Sequence, residues 1–496
     1  MQKKPNVLLL FSDQFRWDGI NAIGNKVMVT PNLDSLCNEG TAFTRAYSPS
    51  PVCVPARMSM LYGQYPYNTG LCDNSTNFTP KQKNIMQVLS ANEYYCHGIG
   101  KMHFVSDPNG LNGFCSRERQ EELSSNYVDD EYLQYIKAKG YNKVFDINGQ
   151  RSEMYYIPQI SQLPAEDHPT NWVGDRTTDF IKGYDKEQPF FLMSSFIHPH
   201  PPFSPPTPWN KLYRVPFVDD PFVPEDSEEL LVHVNRVQNR YKYRDNGIDN
   251  NLIKTMRAYY YSCISFVDYQ IGRIIESLKE KGILDDTIII FTSDHGELLG
   301  DYNCVGKRCM LDSSAKIPFI IRYPSLVNRN SICKMPISLI DILPSLLDVL
   351  DIPVGILQLD GKSIFELIKG NVNRKYIYSQ LSNGQTGLYM LATENEKLIY
   401  SAADDKLLYF DNRVNERESK NLVNTQPYAS EVSKIKGELV KVLKANVQGA
   451  VEGNEFKKYP LKFVSDNKND GLIYQDQIWC RKEESKLPEG YNVIFP

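Results

Sequence analysis

Cys53 stands two residues before Pro55 and four before Arg57, within Ser48-Pro-Ser-Pro-Val-Cys-Val-Pro-Ala-Arg57. Proline is favoured in the first turn of a helix, where its missing N–H costs nothing, so a helix is expected to open here. A group just before that turn faces the positive end of the helix dipole, a good place for an oxyanion. Arg57 lies about one helical turn beyond Cys53 and can reach back with a fixed guanidinium. Nucleophile, helix N-terminus and arginine together suit attack on a tetrahedral anionic ester. Two other clusters could serve such chemistry. Asp13-Gln14 and Ser293-Asp294-His295-Gly296-Glu297 each follow an apolar run. Two carboxylates, an amide oxygen and an imidazole can hold a divalent cation. In Phe196-Ile-His-Pro-His-Pro-Pro-Phe203, prolines stiffen a loop that carries His198 and His200, a costly surface feature with no packing purpose.

These residues need a scaffold, and the apolar runs supply one. Asn6–Phe11, Pro189–Phe196, Asp286–Asp294 and Ile317–Ile321 read as strands buried on both faces. Thr30-Pro31-Asn-Leu-Asp34 predicts a helix with a Thr30 cap, running to about Glu39 and stopped by Gly40. Asn251–Lys281 predicts a long helix and Leu339–Leu350 another. Strands alternating with helices imply an α/β fold, a large mainly parallel sheet flanked by helices. In such sheets ligands bind beyond the carboxyl ends of strands. Asp13, His198, His200, Asp294 and His295 all fall there. Residues 110–170 and 200–250 read as long insertions around the mouth of the site. From about residue 375 the pattern becomes short strands (376–380, 389–392, 397–401, 406–410) and a helix near 430–445. This predicts a catalytic α/β domain over 1–365 and a smaller C-terminal antiparallel-sheet subdomain with a tail over 366–496. The last fifty residues give no reading of their own.

Composition excludes several classes. At 496 residues the chain can bury a large core, and a net charge of −5 with no basic block gives no nucleic-acid signature. No apolar run reaches membrane-spanning length. Met1–Ser12 has too short an apolar stretch for a signal peptide. The expectation is a cytoplasmic protein, or a periplasmic or secreted one if a leader was removed. Ten cysteines without a framework rhythm read mostly as buried thiols.

Cys-x-Pro-x-Arg continues into Met58-Ser-Met-Leu-Tyr-Gly-Gln-Tyr-Pro66 and Asn68-Thr-Gly70. This run resembles the signature of the type I sulfatases, within the alkaline phosphatase superfamily. The resemblance covers about residues 5–345. It implies an alkaline-phosphatase-like sulfatase fold and a Cys53 oxidised to formylglycine (3-oxoalanine) by a formylglycine-generating maturation enzyme. The hydrated aldehyde would be the nucleophile. It further implies a divalent metal, calcium first and magnesium or manganese as alternatives. The metal would be held by Asp13, Gln14, Asp294, His295 and the hydroxyl of modified Cys53. Gly98-Ile-Gly-Lys-Met-His-Phe104 resembles the family's Gly-Lys-x-His, which assigns Lys101 to sulfate and His103 to the second hydroxyl of the hydrate. The match at Pro199–Phe203 points to His200 as the acid that protonates the leaving alcohol. His198 stands beside it as a substrate-binding or structural residue. Gly306-Lys307 resembles a second sulfate clamp, and Asn74 falls where related hydrolases place a substrate-binding amide. Arg57, Lys101 and Lys307 would together neutralise the developing charge.

One departure matters. Many sulfatases carry paired aspartates at the first metal motif and Asp-Asn at the last. Asp13-Gln14 and Asp294-His295 are closer to the branch of choline sulfatases and phosphonate monoester hydrolases. The function implied is a sulfuric-ester hydrolase acting on a small sulfated substrate, a sugar being favoured. The alternative is a phosphonate monoester or phosphodiester hydrolase on the same scaffold. A scaffold that only binds anionic glycans would predict an eroded site, and these motifs are complete. Tyr155, Tyr156, Trp172 and Trp209 either stack on sugar rings or pack on their own domain.

Overall fold

Asn6–Ser12 is buried at every position and forms the first strand, β1, of a large sheet. The computed structural model describes residues 4–74, 78–122, 130–144, 146–151, 155–243 and 247–462. Among these, the sheet also holds β2 (Thr41–Phe43), β3 (Tyr95–Gly100), β4 (Ser116–Arg119), β5 (Phe190–Phe196), β6 (Thr287–Thr292), β7 (Phe319–Arg322) and β8 (Ser331–Cys333). The strand order is β4-β3-β5-β1-β6-β7-β2-β8. The strands β4, β3, β5, β1 and β6 are mutually parallel, whereas β7 is antiparallel to both neighbours. A parallel neighbour needs a long crossover, usually a helix. The connection from β6 to β7 carries only the 3-10 turn Asp301–Asn303 and the four-residue helix Asp312–Ala315 and otherwise builds the site, with no long crossover helix.

Strand β1 is apolar throughout because it is covered on both faces. Val7, Leu9 and Phe11 enter one apolar layer, with Met58, Leu61 and Leu343. Leu8 and Leu10 enter the other, with Ile264 and Ile271. Each such side chain contributes roughly 1.5–3 kcal/mol relative to exposure.

The flanking helices follow the expected pattern, with differences at their ends. Helix α1 (Pro31–Glu39) has its proline in the first turn, but the Thr30 hydroxyl bonds Asp34 rather than capping the backbone. Gly40 is extended, with φ −138°, so it is not a left-handed stop. Glycine is needed there because a Cβ would lie 2.2 Å from the Ile321 carbonyl oxygen on β7. Helix α2 (Cys53–Tyr62) begins at Cys53 itself, which is therefore its first residue rather than the one before it. Helix α3 (Pro169–Gly183) and the 31-residue α4 (Asn250–Glu280) lie on the face opposite α2. The Asp249 side chain caps α4 by accepting from the Asn251 and Leu252 N–H groups.

The C-terminal part is an antiparallel meander of β9 (Ile377–Leu381), β10 (Leu388–Ala392), β11 (Glu396–Ser401) and β12 (Lys406–Asp411). One face is covered by α5 (Ala429–Asn446) through Leu439 and Leu443. The other packs Met390, Ile399 and Phe410 on Leu298, Met310 and Leu311, from the segment after β6. An ionic cluster crosses the same junction. Lys397 Nζ lies 2.7 Å from Asp312 Oδ1 and 2.6 Å from Glu418 Oε1, fully enclosed.

The described parts of the segments read as insertions hold more regular structure than their composition suggests. Residues 110–170 contain β4 and the helix Glu131–Ala138, and 200–250 contain the helix His233–Tyr243. Residues 463–496, with Trp479-Cys480 and Tyr491–Pro496, lie outside the described residues. No helix among the described residues is long and apolar enough to cross a membrane. The nine described cysteines are free thiols.

Candidate active site

The strands β3, β5, β1 and β6 are adjacent and parallel, so their carboxyl ends open on one edge of the sheet. Lys101 follows β3, His198 and His200 follow β5, Asp13 and Gln14 follow β1, and Asp294 and His295 follow β6. Close approach is built into this edge. Gly100 has φ 88°, and a Cβ there would sit 2.1 Å from the Ser195 carbonyl oxygen. Gln14 (φ 63°) and His103 (φ 59°) take left-handed backbone without being glycine. Such strain persists where surrounding structure over-determines it, commonly at functional sites.

The helix N-terminus brings Cys53 over this edge. Cys53, Asp13, Asp294 and His295 each offer one atom to a buried cluster in which all four lie within 4.8 Å of one another. The orientation of each donor is fixed from behind. Arg57 Nε donates to Asp294 Oδ2 at 2.9 Å, and its Nη2 donates to Asp13 Oδ2 at 3.1 Å. Arg57 Nη1 donates to the Lys101 carbonyl and to Ser195 Oγ. The two Oδ1 atoms are thereby turned towards the thiol and imidazole. His295 Nδ1 lies 3.0 Å from the Gly296 carbonyl oxygen, which can only accept. Nδ1 therefore carries a hydrogen in either charge state, and Nε2 is the atom that faces Cys53 Sγ, at 3.2 Å. Gln14 Nε2 donates to Glu297, which leaves Oε1 facing Lys307 Nζ at 2.8 Å. Two carboxylate oxygens, an amide oxygen and an imidazole nitrogen fit a hard divalent cation.

Cationic groups close the top. Lys307 Nζ is 3.0 Å from Cys53 Sγ. Lys101 Nζ is 2.6 Å from Asp13 Oδ2. His103 is among the groups that favour the ionised Cys53 thiol. Burial opposes charge on the thiol, but Lys307, Lys101 and His295 outweigh it and hold Cys53 well below the usual thiol range. Burial likewise opposes ionisation of Asp13, while Lys101, His200 and Arg57 keep its carboxyl low. Burial also works against a charge on His295, yet Asp294 raises its basicity above the ordinary histidine value.

The remaining expected residues are placed as follows. Asn74 Oδ1 accepts from the Val54 N–H at 3.2 Å, capping α2 beside Cys53. His200 Nε2 faces the Tyr155 hydroxyl at 3.3 Å and Glu122 Oε1 at 3.6 Å. His198 turns away from it, with Nδ1 3.2 Å from Thr170 Oγ1 and its ring against His168. Burial and the neighbouring His200 push His198 down to about 3. Arg57 differs from expectation, since its donors go to protein groups beneath the cluster and not back over Cys53. Trp172 is a core residue, and Trp209 packs on Phe266 and Tyr269. Of the four aromatics considered, Tyr155 borders the site directly.

Several residues escaped the sequence reading. Glu122 Oε2 is 2.6 Å from Lys101 Nζ, and its Oε1 is 2.8 Å from Arg151 Nη2. Glu121 accepts from the Met102 and His103 N–H groups, pinning that turn. Both glutamates belong to a polar segment whose spacing carried no signal. Glu297 falls in the Ser293–Glu297 run, and its position three residues beyond Asp294 is the available cue.

Residues 5–352 match the family model described as Sulfatase, and residues 300–445 match that of the N-sulphoglucosamine sulphohydrolase C-terminal region. The chain is 30% identical over 489 residues to an arylsulfatase of Clostridium perfringens, covering 92% of this chain and 98% of that one. Its fold superposes on the phosphonate monoester hydrolase of Agrobacterium radiobacter with a TM-score of 0.77 at 23% identity, covering 92% of this chain and 100% of the other. A second structure, solved with its substrate D-glucosamine-2-N,6-O-disulfate, gives a TM-score of 0.69 at 22% identity over 89% and 98% of the two chains. The chain belongs to the sulfatase family, enzymes that hydrolyse sulfuric esters on an alkaline-phosphatase-like fold.

Proposed function

We propose that this protein removes sulfate from a small sulfated carbohydrate, using formylglycine made from Cys53 and a divalent metal, calcium foremost. The observation that carries the reading is the buried cluster of Asp13, Cys53, Asp294 and His295 beneath Lys307. The cation would be held by Asp13 Oδ1, Gln14 Oε1, Asp294 Oδ1, His295 Nε2 and the hydroxyl at position 53, and would supply Lewis acidity there. Formylglycine would supply a hydrated aldehyde as nucleophile and a route for expelling sulfate.

The chain's own residues divide the remaining work. Lys307 and Lys101 neutralise charge that builds on the ester oxygens. His200 gives a proton to the departing alcohol oxygen, and His103 takes one from the group at position 53. Arg57 holds both aspartates in register. Asn74 fixes the helix end next to Cys53, and His198 holds the His200 loop. We assign catalysis to residues 1–365 and the smaller subdomain to 366–496. The sugar preference follows relatives such as the glucosamine-disulfate complex. Maturation requires a formylglycine-generating enzyme as partner.

A phosphonate monoester hydrolase is the second reading, favoured by the Asp13-Gln14 and Asp294-His295 donors and by the fold match to that enzyme. Rates of the matured, calcium-loaded protein on 4-nitrophenyl sulfate and on a phenyl phosphonate ester separate the two. A higher kcat/KM on the sulfate supports the first, and a higher value on the phosphonate replaces it with the second.

A further inference from the structure

Glu122 is a buried carboxylate on the leaving-group side of the site, supplied by the segment after β4. Its side chain is 12% exposed and touches three charged or chargeable groups: Lys101 at 2.6 Å, Arg151 at 2.8 Å and His200 at 3.6 Å. We propose that Glu122 is a positioning residue for proton donation, a fixed negative charge 3.6 Å from Nε2 that favours the form of His200 able to pass a proton from that atom to the departing oxygen. This inference rests on the sulfatase reading of the site.

The hydrogen-bond directions require such a partner. His200 Nδ1 lies 2.7 Å from the Pro201 carbonyl oxygen, which can only accept, so Nδ1 always carries a hydrogen. In the neutral ring Nε2 is then a lone pair, to which the Tyr155 hydroxyl donates. A proton can leave from Nε2 only when the ring is an imidazolium. Burial disfavours that cation, as do Lys307 and Lys101, and together they hold the ring below the ordinary histidine value; Glu122 and Asp13 work in the opposite direction and limit the fall. Among the groups in contact with Nε2, Glu122 is the anion.

Glu122 is itself held ionised. Burial opposes its charge, but His200, Lys101 and Arg151 keep its carboxyl well below the ordinary range. Arg151 is steadied over the Tyr155 ring, with its guanidinium 5.3 Å from the ring centroid. The step is balanced. The Nε2–H bond breaks and its electron pair stays on the ring. The proton bonds to the leaving oxygen, which takes the electron pair of its bond to sulfur. The ring returns to the Nδ1–H form that the Pro201 carbonyl selects.

Glu122 could instead serve only to neutralise Lys101. The two roles differ in one readout, because a group that works through the acid matters most when the leaving group is poor. The test is kcat/KM of the matured, calcium-loaded Glu122→Gln variant on aryl sulfates of increasing leaving-group pKa and on a sugar sulfate. The expected result is a change within about threefold on 4-nitrophenyl sulfate and a loss of about ten- to a hundredfold on the poorest leaving groups. A uniform loss across the series, or no loss, overturns the proposal. If Glu122→Gln does not fold by thermal melting, Glu122→Asp keeps the charge and must retain the wild-type leaving-group dependence. A steepened dependence in that variant also overturns it. A wild type inactive on every sulfate ester would contradict the sulfatase reading and this proposal together. An active wild type with a uniform loss in Glu122→Gln contradicts the proposal alone.

Discussion

Arg57 Nε points at Asp294 Oδ2 over 2.9 Å, and the guanidinium lies beneath the cluster instead of above it. Its Nη2 donates to Asp13 Oδ2, and its Cζ lies 4.7 Å from the Phe11 ring centroid. One side chain thus fixes two carboxylates that arrive on different strands. Replacing it by alanine leaves both buried charges without that partner, a loss of about 3–5 kcal/mol. Arg57→Ala is expected to lower the melting temperature and to abolish retention of a divalent cation in equilibrium dialysis. Arg57→Lys should recover little of either, since an ammonium cannot serve both aspartates with the guanidinium's fork. A variant that melts like wild type and still binds calcium would show that the pairing is dispensable.

Lys307 makes the opposite case. It is half-buried and its ammonium sits 3.0 Å from Cys53 Sγ. Lys307→Ala should cost about a hundredfold or more in kcat on a sulfate ester, comparable to losing one preorganised donor to a developing oxyanion. Thermal melting of the variant should stay close to wild type. A large loss of stability with a small loss of rate would place Lys307 in the scaffold.

The donor set makes a prediction that needs no activity measurement. A cation that binds the folded state alone stabilises it by about 2.7 kcal/mol at a hundred times its Kd. Added calcium should raise the melting temperature of the matured protein, and a chelator should reverse the rise. Asp294→Ala should remove the response. No calcium-dependent shift in the wild type would argue against a metal at this cluster.

Much of this was legible beforehand, for physical reasons. Strands β1, β5 and β6 stand out as unbroken apolar runs because both their faces are covered, and the residues that follow each run are forced to the sheet edge. Helix α4 stands out through its length and period. The short strands β2, β4 and β8, of three or four residues, carry too little pattern to register. Gly40 was read as a helix stop by its position, while its actual constraint is a contact with Ile321 on a strand far along the chain. Glu121 and Glu122 were illegible because their importance comes from tertiary contact alone. Arg57 lies within reach of the cluster, as its spacing from Cys53 implies, but the direction of its side chain depends on the two aspartates below it, which spacing cannot reveal.

The junction of the two sheets predicts a pH effect on stability. Burial and the Asp312 charge push the Glu418 carboxyl up to about 7. An ordinary glutamate in the unfolded chain titrates near 4.3. The folded state therefore binds the proton more tightly. That contribution is fully present below the unfolded value and is lost as pH rises through the folded one. Glu418→Gln removes the titration, so the variant should gain stability relative to wild type between about pH 5 and pH 8 in urea unfolding. A difference between the two proteins that does not vary with pH would mean that Glu418 keeps its charge in the fold.

The central claim is that Cys53 is the precursor of the nucleophile. Trypsin releases it in the fragment Ala46–Arg57. The intact mass of that fragment should be measured on protein produced with and without a formylglycine-generating enzyme, together with sulfatase activity on the same samples. The account predicts a fraction lighter by roughly 18 Da, the thiol-to-aldehyde difference, with activity rising in proportion to it. Full activity on an unmodified thiol would contradict it, as would complete conversion to the aldehyde without hydrolysis of any sulfate ester.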